Sequence, residues 1–350
     1  MTFYQELQLN QAGSKQLIKS TEDKREKARH IAIYLFKVLI SVAFCIAFVT
    51  GFSIVFGSEN SIAGVVFLLC ILAFRFSDLG IKAQDAMKIF PMVFAILAFA
   101  PRLANHIGDI GGFFINMASI LTLLVFACHN IIFFNHSTLV LSYLLLYGYD
   151  VTGRTYLYRL LGLALAAGIT MIVYYCNHCR KIYKRDIKIL LREFDIESSR
   201  TRWQIRMAFG VAAVILLTGL LNFPRPMWAG IAFMSVTLPF KKDIAKRVKG
   251  RIPGNIIGCG IFFVIYTFLP ESMRSLIGVI SGIGVGLSAT YQWQTIFNSL
   301  GALSIAASVF GLPTAIIFRI VNNLIGALSG LILDKLAYAV RSKSSAAQEA

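Results

Sequence analysis

The feature that most constrains this chain is a succession of apolar runs, each bounded by polar or charged residues. With 57% hydrophobic and 15% charged residues, the chain has too few polar side chains to cover a globular core. The pattern predicts an all-α polytopic membrane protein with about twelve transmembrane segments. The runs cover 31–56, 61–74, 87–101, 112–128, 131–147, 153–176, 203–222, 226–240, 250–269, 272–290, 292–310 and 313–338.

The basic residues predict the topology. The formal net charge is +17, and 28 of the 34 Lys and Arg fall in 1–37, 74–88, 177–206, 240–251 and 335–350, segments that include every second loop. This asymmetry is typical of cytoplasmic loops, so the excess is explained by topology and by attraction to anionic lipid headgroups, not by nucleic acid. We expect a multi-pass protein of the bacterial cytoplasmic membrane with both termini cytoplasmic. The six remaining basic residues are Arg102, Arg154, Arg159, Arg225, Arg274 and Arg319.

Internal similarity predicts two parallel six-helix repeats. The segment AGVVFLLCILAF at Ala63 matches AGIAFMSVTLPF at Ala229. An even number of spans per repeat inserts both copies in the same orientation, related by an axis along the membrane normal. The predicted organisation is a cytoplasmic N-terminal arm at 1–30, a first repeat at 31–176, a cytoplasmic linker at 177–202, a second repeat at 203–338 and a cytoplasmic tail at 339–350.

A smaller unit recurs four times, beginning at Lys88, Arg159, Arg251 and Arg319. In each copy the basic residue is followed, three and seven positions later, by residues that are mostly small. These spacings place the three positions on one helical face. Lys88 and Arg251 either anchor cytoplasmic helix ends or face a cavity. Arg159 and Arg319 lie inside apolar runs, where a cation usually marks a pathway. They either form a paired anion site, or have permanent structural acceptors, or bind lipid headgroups.

Two corresponding runs, 61–74 and 226–240, are too short to cross about 30 Å of hydrocarbon. Short runs are tolerated at membrane depth where protein or a water-filled cavity satisfies their backbone groups, and such pairs are the best sequence indication of a transport site. Trp228, near the start of the second short run, either stacks on a ligand or belongs to an interfacial aromatic belt.

Residues 225–258, RPMWAGIAFMSVTLPFKKDIAKRVKGRIPGNIIG, resemble the repeated segment of the fusaric acid resistance and aromatic acid exporter superfamily. Aluminium-activated malate transporters are more distantly similar. The first half has SIAGVVF at Ser61, where Pro and Trp would be expected. The resemblance implies export of aromatic or related carboxylates and a homodimer. With the repeated basic unit, it makes these residues candidates for substrate binding: Arg159, Arg319, Trp228, Arg225, Arg251 and Asn322.

The first functional interpretation is a transporter for small organic anions, because a guanidinium group binds both oxygens of a carboxylate. The alternatives are an anion channel, or a non-catalytic membrane subunit that handles lipid-linked envelope material. No P-loop, H-E-x-x-H or G-x-S-x-G motif occurs, so neither an enzyme nor a cofactor is predicted. Cys176 and Cys179 flank His178 but offer too few ligands for a metal. Membrane lipids are the other expected partner.

A glycine stripe at Gly278, Gly282 and Gly286 has four-residue spacing within the tenth run. Small residues on one helical face allow two helices to approach closely in a membrane. The stripe therefore predicts either close packing within the chain or a subunit interface.

Overall fold

The computed structural model describes residues 2–239 and 244–348, with the backbone alone for 338–348. These residues are 83% helical, and no strand occurs among them. Each of the twelve apolar runs coincides with one α-helix in the part of the chain that the structure describes. The helices are α1 (Phe3–Gln8), α2 (Gln11–Ser20), α3 (Lys24–Phe56), α4 (Ser61–Phe74), α5 (Ala83–His106), α6 (Asp109–Ala127), α7 (His136–Gly148), α8 (Gly153–His178), α9 (Ile187–Arg192), α10 (Ser199–Leu220), α11 (Met227–Val236), α12 (Ile244–Phe268), α13 (Leu276–Leu287), α14 (Tyr291–Phe310) and α15 (Leu312–Gln348).

Seven of the described helices are long and apolar enough to cross a membrane, namely α3, α5, α6, α8, α10, α12 and the Leu312–Ala337 part of α15. The chain is therefore a multi-pass membrane protein. Helices α4 and α11 are shorter, with 14 and 10 residues. The count of twelve spans and the parallel repeat stay predictions.

The chain divides into two compact units. The first comprises 1–47 and 246–321, and the second comprises 48–245 and 322–350. Each unit contains residues from both predicted halves. Helices α3, α12 and α15 cross the boundary between the units, so each contributes residues to the two of them. The boundaries of the five predicted segments also stay a prediction. Lys241 and Lys242, in a predicted cytoplasmic loop, lie outside the described residues.

In the first unit, the N-terminal arm packs on α3 through a buried carboxylate. Glu6 is 3% exposed, and its Oε2 lies 2.7 Å from His30 Nδ1. Lys37 Nζ donates to the Leu9 carbonyl at 3.0 Å and to Ser14 Oγ at 2.7 Å. The arm is therefore attached to α3 by ionic and hydrogen-bonding contacts.

Two glycines of the α13 stripe, Gly282 and Gly286, face α3 within the same unit, and the third, Gly278, lies next to Ser304 of α14. A Cβ added at Gly286 would lie 2.7 Å from Val38 Cγ1, and one at Gly282 would lie 3.7 Å from Val42 Cγ1. Tyr34 Oη also donates to the Gly286 carbonyl at 3.2 Å. The stripe therefore serves close packing within the chain, and the homodimer stays a prediction.

In the second unit, the two short helices α4 and α11 both pack on α7. Helix α11 is about 15 Å long at 1.5 Å per residue, half the hydrocarbon thickness. Eight of its ten residues are buried. The carbonyl of Thr237, just past its end, accepts a hydrogen bond from Trp203 Nε1 at 3.0 Å. Helix α11 is tolerated because neighbouring helices cover it and satisfy its exposed backbone.

The linker 177–202 also belongs to the second unit and folds back onto it. It contains α9, which packs on α6, and Leu190 of α9 is 1% exposed. The Lys82 amide donates to the Arg185 carbonyl at 3.0 Å. The linker is therefore docked on the loop before α5.

Candidate anion-binding site

Three arginines from three parts of the second unit converge on the loop between α7 and α8. Arg102 Nη1 donates to the Val151 carbonyl, and Arg159 Nη1 donates to the Tyr149 carbonyl at 2.6 Å. Arg225 Nη1 donates to the carbonyl of Gly148, the last residue of α7. We call Arg102, Arg159 and Arg225 the arginine cluster. The loop is suited to this role because carbonyls at a helix C-terminus have no partner within the helix.

Arg159 is buried, with 3% exposure, and is held by neutral acceptors. Its Nε donates to Asn60 Oδ1 at 3.0 Å, and its Nη2 donates to the Glu59 carbonyl at 3.3 Å. Asn60 is fully buried, and its Nδ2 donates to the carbonyls of Phe56 and Thr155 at 2.8 and 3.0 Å. Asn60 therefore fixes Arg159 against the turn that precedes α4.

Arg225 occupies an unusual backbone conformation at the entrance of α11. Its φ is 58°, in the left-handed region, which costs a residue with a side chain roughly 1–2 kcal/mol. Its guanidinium carbon lies 4.2 Å from the ring centroid of Tyr149, close enough for a cation–π interaction. Tyr149 thus contacts two arginines, Arg225 through its ring and Arg159 through its carbonyl.

Helix α15 supports the Arg225 segment from the other side. Asn322 is fully buried, and its Nδ2 donates to the Pro224 carbonyl at 3.1 Å. One turn later, a Cβ at Gly326 would lie 2.1 Å from the Ala229 carbonyl oxygen. The absent side chain at Gly326 is what allows α15 to lie directly against α11.

Trp228 lies in the first turn of α11, and its amide donates to the Arg225 carbonyl at 2.9 Å. Its side chain is 2% exposed. The indole therefore packs inside the second unit, next to the segment that carries Arg225.

The arginine cluster is electropositive. Asp150 Oδ1 lies 3.6 Å from Arg102 Nη1, and Asp150 and Glu59 both attract Arg159. The hydrogen bonds of Arg159 itself go to an amide oxygen and two carbonyls. These oxygens carry partial charges, so they satisfy the guanidinium donors without cancelling its charge. An anion is the ligand that such a site favours.

Arg251 and Arg319 belong to the first unit. Arg251 is 6% exposed, and its Nη1 donates to Tyr291 Oη at 3.1 Å, while Arg247 lies 4.2 Å over the same ring. Arg319 is 5% exposed and interacts electrostatically with Cys259. The structure thus brings together Arg159, Arg225, Asn322 and Trp228. The pairing of Arg159 with Arg319 stays a prediction.

A second polar cluster fixes the linker. Asp78 accepts hydrogen bonds from Tyr183 Oη at 2.7 Å and Lys181 Nζ at 3.0 Å. Burial alone would raise the pKa of Asp78, but these two hydrogen bonds hold that pKa below its ordinary value. Burial and the bond to Asp78 raise the pKa of Tyr183 to about 12. Asp78 therefore binds the linker as a carboxylate.

The same linker contacts a buried histidine. Glu193 Oε2 lies 2.9 Å from His129 Nε2, and Arg200 Nη1 lies 3.1 Å from that nitrogen. Arg185 Nη1 is 3.4 Å away. Burial, followed by the charge of Arg200, lowers the pKa of His129. Burial opposes ionisation of Glu193, but His129 and the arginines lower the pKa of its carboxyl group.

Sequence reasoning missed Arg102, Asn60, Tyr149 and Asp150 as parts of the site. Arg102 carried a signal, because it is one of the few basic residues outside the predicted cytoplasmic segments. Asn60 and Tyr149 lie beside apolar runs and carry no motif. For metals, no cluster of three or more His, Cys, Asp or Glu that would hold an ion occurs among the described residues.

Residues 211–333 match the family described as fusaric acid resistance protein-like. This segment includes Arg225, Trp228 and Asn322, and it confirms the resemblance found in the sequence. No curated protein and no solved structure matches the chain.

Proposed function

We propose, from the place of residues 211–333 in the fusaric acid resistance superfamily, that the chain exports small organic anions, aromatic carboxylates in particular. The family indicates membrane transport in general. The choice of an organic anion is supported by the arginine cluster, whose three guanidinium groups contact the carbonyls of one loop. This convergence is the observation on which the proposal rests.

In this proposal the substrate carboxylate binds at the arginine cluster. Three of the five N–H groups of Arg159 donate to described acceptors, which leaves two for a ligand. Arg225 can exchange its contact with Gly148 for a carboxylate oxygen, because a charged acceptor forms a stronger hydrogen bond than a neutral one. The Tyr149 ring already holds the guanidinium group of Arg225, and an aromatic acid bound at the cluster would lie close to this ring.

The test is efflux from proteoliposomes loaded with radiolabelled benzoate. We expect Arg225→Gln and Arg159→Gln each to reduce efflux at least tenfold, because each removes a full charge from the carboxylate site. Arg225→Lys should restore little, since an ammonium group cannot bind two carboxylate oxygens in a fixed fork.

The matched control is Arg274→Gln. Arg274 pairs with Glu271, which is 87% exposed, and lies in the turn before α13 in the first unit. Its loss should leave efflux unchanged. Normal efflux by folded Arg225→Gln and Arg159→Gln variants would contradict the proposal.

The same vesicles separate the remaining interpretations. A channel would pass benzoate as a steady current that reverses with the applied potential, whereas a carrier would saturate at low flux. An envelope subunit would show neither, and its deletion would alter the composition of the envelope instead.

A further inference from the structure

An apolar groove of about 730 Å³ runs along the second unit between α5 and α8. All eleven residues that line it are apolar, and they include the small residues Ala95, Ala98, Ala164 and Ala167. The groove is open on one side, where Phe99, Leu157 and Leu161 are between 57% and 61% exposed. Helices α5 and α8 are both long and apolar enough to cross a membrane, so an open side here would face acyl chains.

The length of the groove matches one leaflet. On α8 it extends from Leu157 to Ala167, which is about 15 Å at 1.5 Å per residue. Half of the hydrocarbon core, about 30 Å thick, has the same depth. A groove of this length fits an acyl chain of a single leaflet better than it fits a compact solute.

Both helices carry an arginine at the same end of the groove. Arg102 follows Ala95 and Ala98 on one face of α5, at spacings of seven and four. Arg154 precedes Leu157 and Leu161 on one face of α8, at spacings of three and seven. The groove is therefore apolar along its length and cationic at one end.

Tyr156 closes the groove at this cationic end. Its Oη donates to the Ala98 carbonyl at 3.0 Å, and the Arg102 guanidinium carbon lies 4.4 Å over its ring. Arg154 is exposed in the first turn of α8. A headgroup at this level would meet the exposed guanidinium group of Arg154, next to the one that Tyr156 holds.

We propose that this groove binds one anionic phospholipid, with an acyl chain between α5 and α8 and its phosphate at Arg154. The cationic end of the groove complements an anionic headgroup and its length matches one leaflet, whatever the chain transports. Arginine at the interface attracts anionic headgroups, and burial of each CH₂ adds to the affinity.

The experiment is native mass spectrometry of the delipidated protein, titrated with phosphatidylglycerol or with phosphatidylcholine of identical chains. We expect at least tenfold tighter binding of phosphatidylglycerol. Ala164→Phe and Ala95→Leu fill the groove from opposite helices at exposed positions, and each should abolish the tight binding. Arg154→Gln should weaken it about fivefold, the contribution typical of one interfacial arginine.

The matched control is Leu165→Phe, an exposed position on α8 that does not line the groove. This variant should bind phosphatidylglycerol like the unaltered protein. Equal affinity for the two lipids would overturn the headgroup assignment. Retained tight binding in folded Ala164→Phe and Ala95→Leu would overturn the groove assignment, and the second variant provides this test if the first does not fold.

Discussion

Asn60 offers the sharpest test of whether the charge of Arg159 serves an anion. Its Oδ1 lies 3.0 Å from Arg159 Nε and carries no net charge. In Asn60→Asp, an isosteric change, a carboxylate would lie against the buried guanidinium group. Two unit charges about 4 Å apart attract by about 4 kcal/mol at an effective dielectric constant of 20. The introduced carboxylate would therefore compensate the charge of Arg159.

The expected effect on substrate affinity follows from the same relation. A substrate carboxylate on the far side of the guanidinium group would lie roughly 8 Å from the introduced charge, which gives about 2 kcal/mol of repulsion. This energy corresponds to about a 30-fold loss of affinity. The assay is the concentration dependence of benzoate efflux from proteoliposomes, and we expect KM to rise by this factor.

Asn60→Ala separates charge from structure. Both substitutions remove the donors to Phe56 and Thr155, but only Asn60→Asp adds a charge. Asn60→Ala leaves a buried charged donor without its acceptor, which should lower stability by about 3 kcal/mol. It should change KM far less than Asn60→Asp does. A folded Asn60→Asp variant with unchanged KM would refute the assignment of Arg159 to anion binding.

Three further predictions concern packing, pH and topology. Gly326→Val should push α15 from α11 and lower both thermal stability and efflux. Gly168→Val should leave both nearly unchanged, because an added Cβ there meets nothing within 4 Å and valine forms helix no worse than glycine. Contact with the linker lowers the pKa of His129, so His129 binds more protons in the undocked state, and docking should weaken as pH falls below about 6.5. Hydrogen exchange of α9 should show this weakening, and His129→Gln should remove it; an identical pH profile in the variant would refute the cause. Impermeant thiol reagents applied from outside should label Ser58→Cys and not Ser198→Cys, and the reverse pattern would overturn the predicted topology.

The helices were predictable from the sequence because hydrophobic runs and their flanking charges are local signals. The run that begins at Pro226 forms a short buried helix. The repeated unit of Arg319, Asn322 and Gly326 places a glycine where α15 packs closely against α11. Both follow from side-chain size and spacing along a single helix.

The site itself was only half predictable. Arg159 and Arg225 stand out as cations in or beside apolar runs, but their shared contact with Tyr149 joins residues 10 apart in one case and 76 apart in the other. The acceptors of Arg159 include Asn60, 99 residues away. No sequence periodicity reports such contacts, because they arise from how α4, α7 and α8 pack.

The end of α7 has a consequence for how the site would release its ligand. The helix dipole places about half a negative charge at its C-terminus, and the carbonyls of Gly148 and Tyr149 offer it to Arg225 and Arg159. When a carboxylate leaves, the guanidinium groups would again donate to these carbonyls. Their N–H groups would therefore never be without an acceptor. In the proposed site, helix α7 would therefore act as a counterion that the full charge of a carboxylate displaces and that replaces the carboxylate when it leaves.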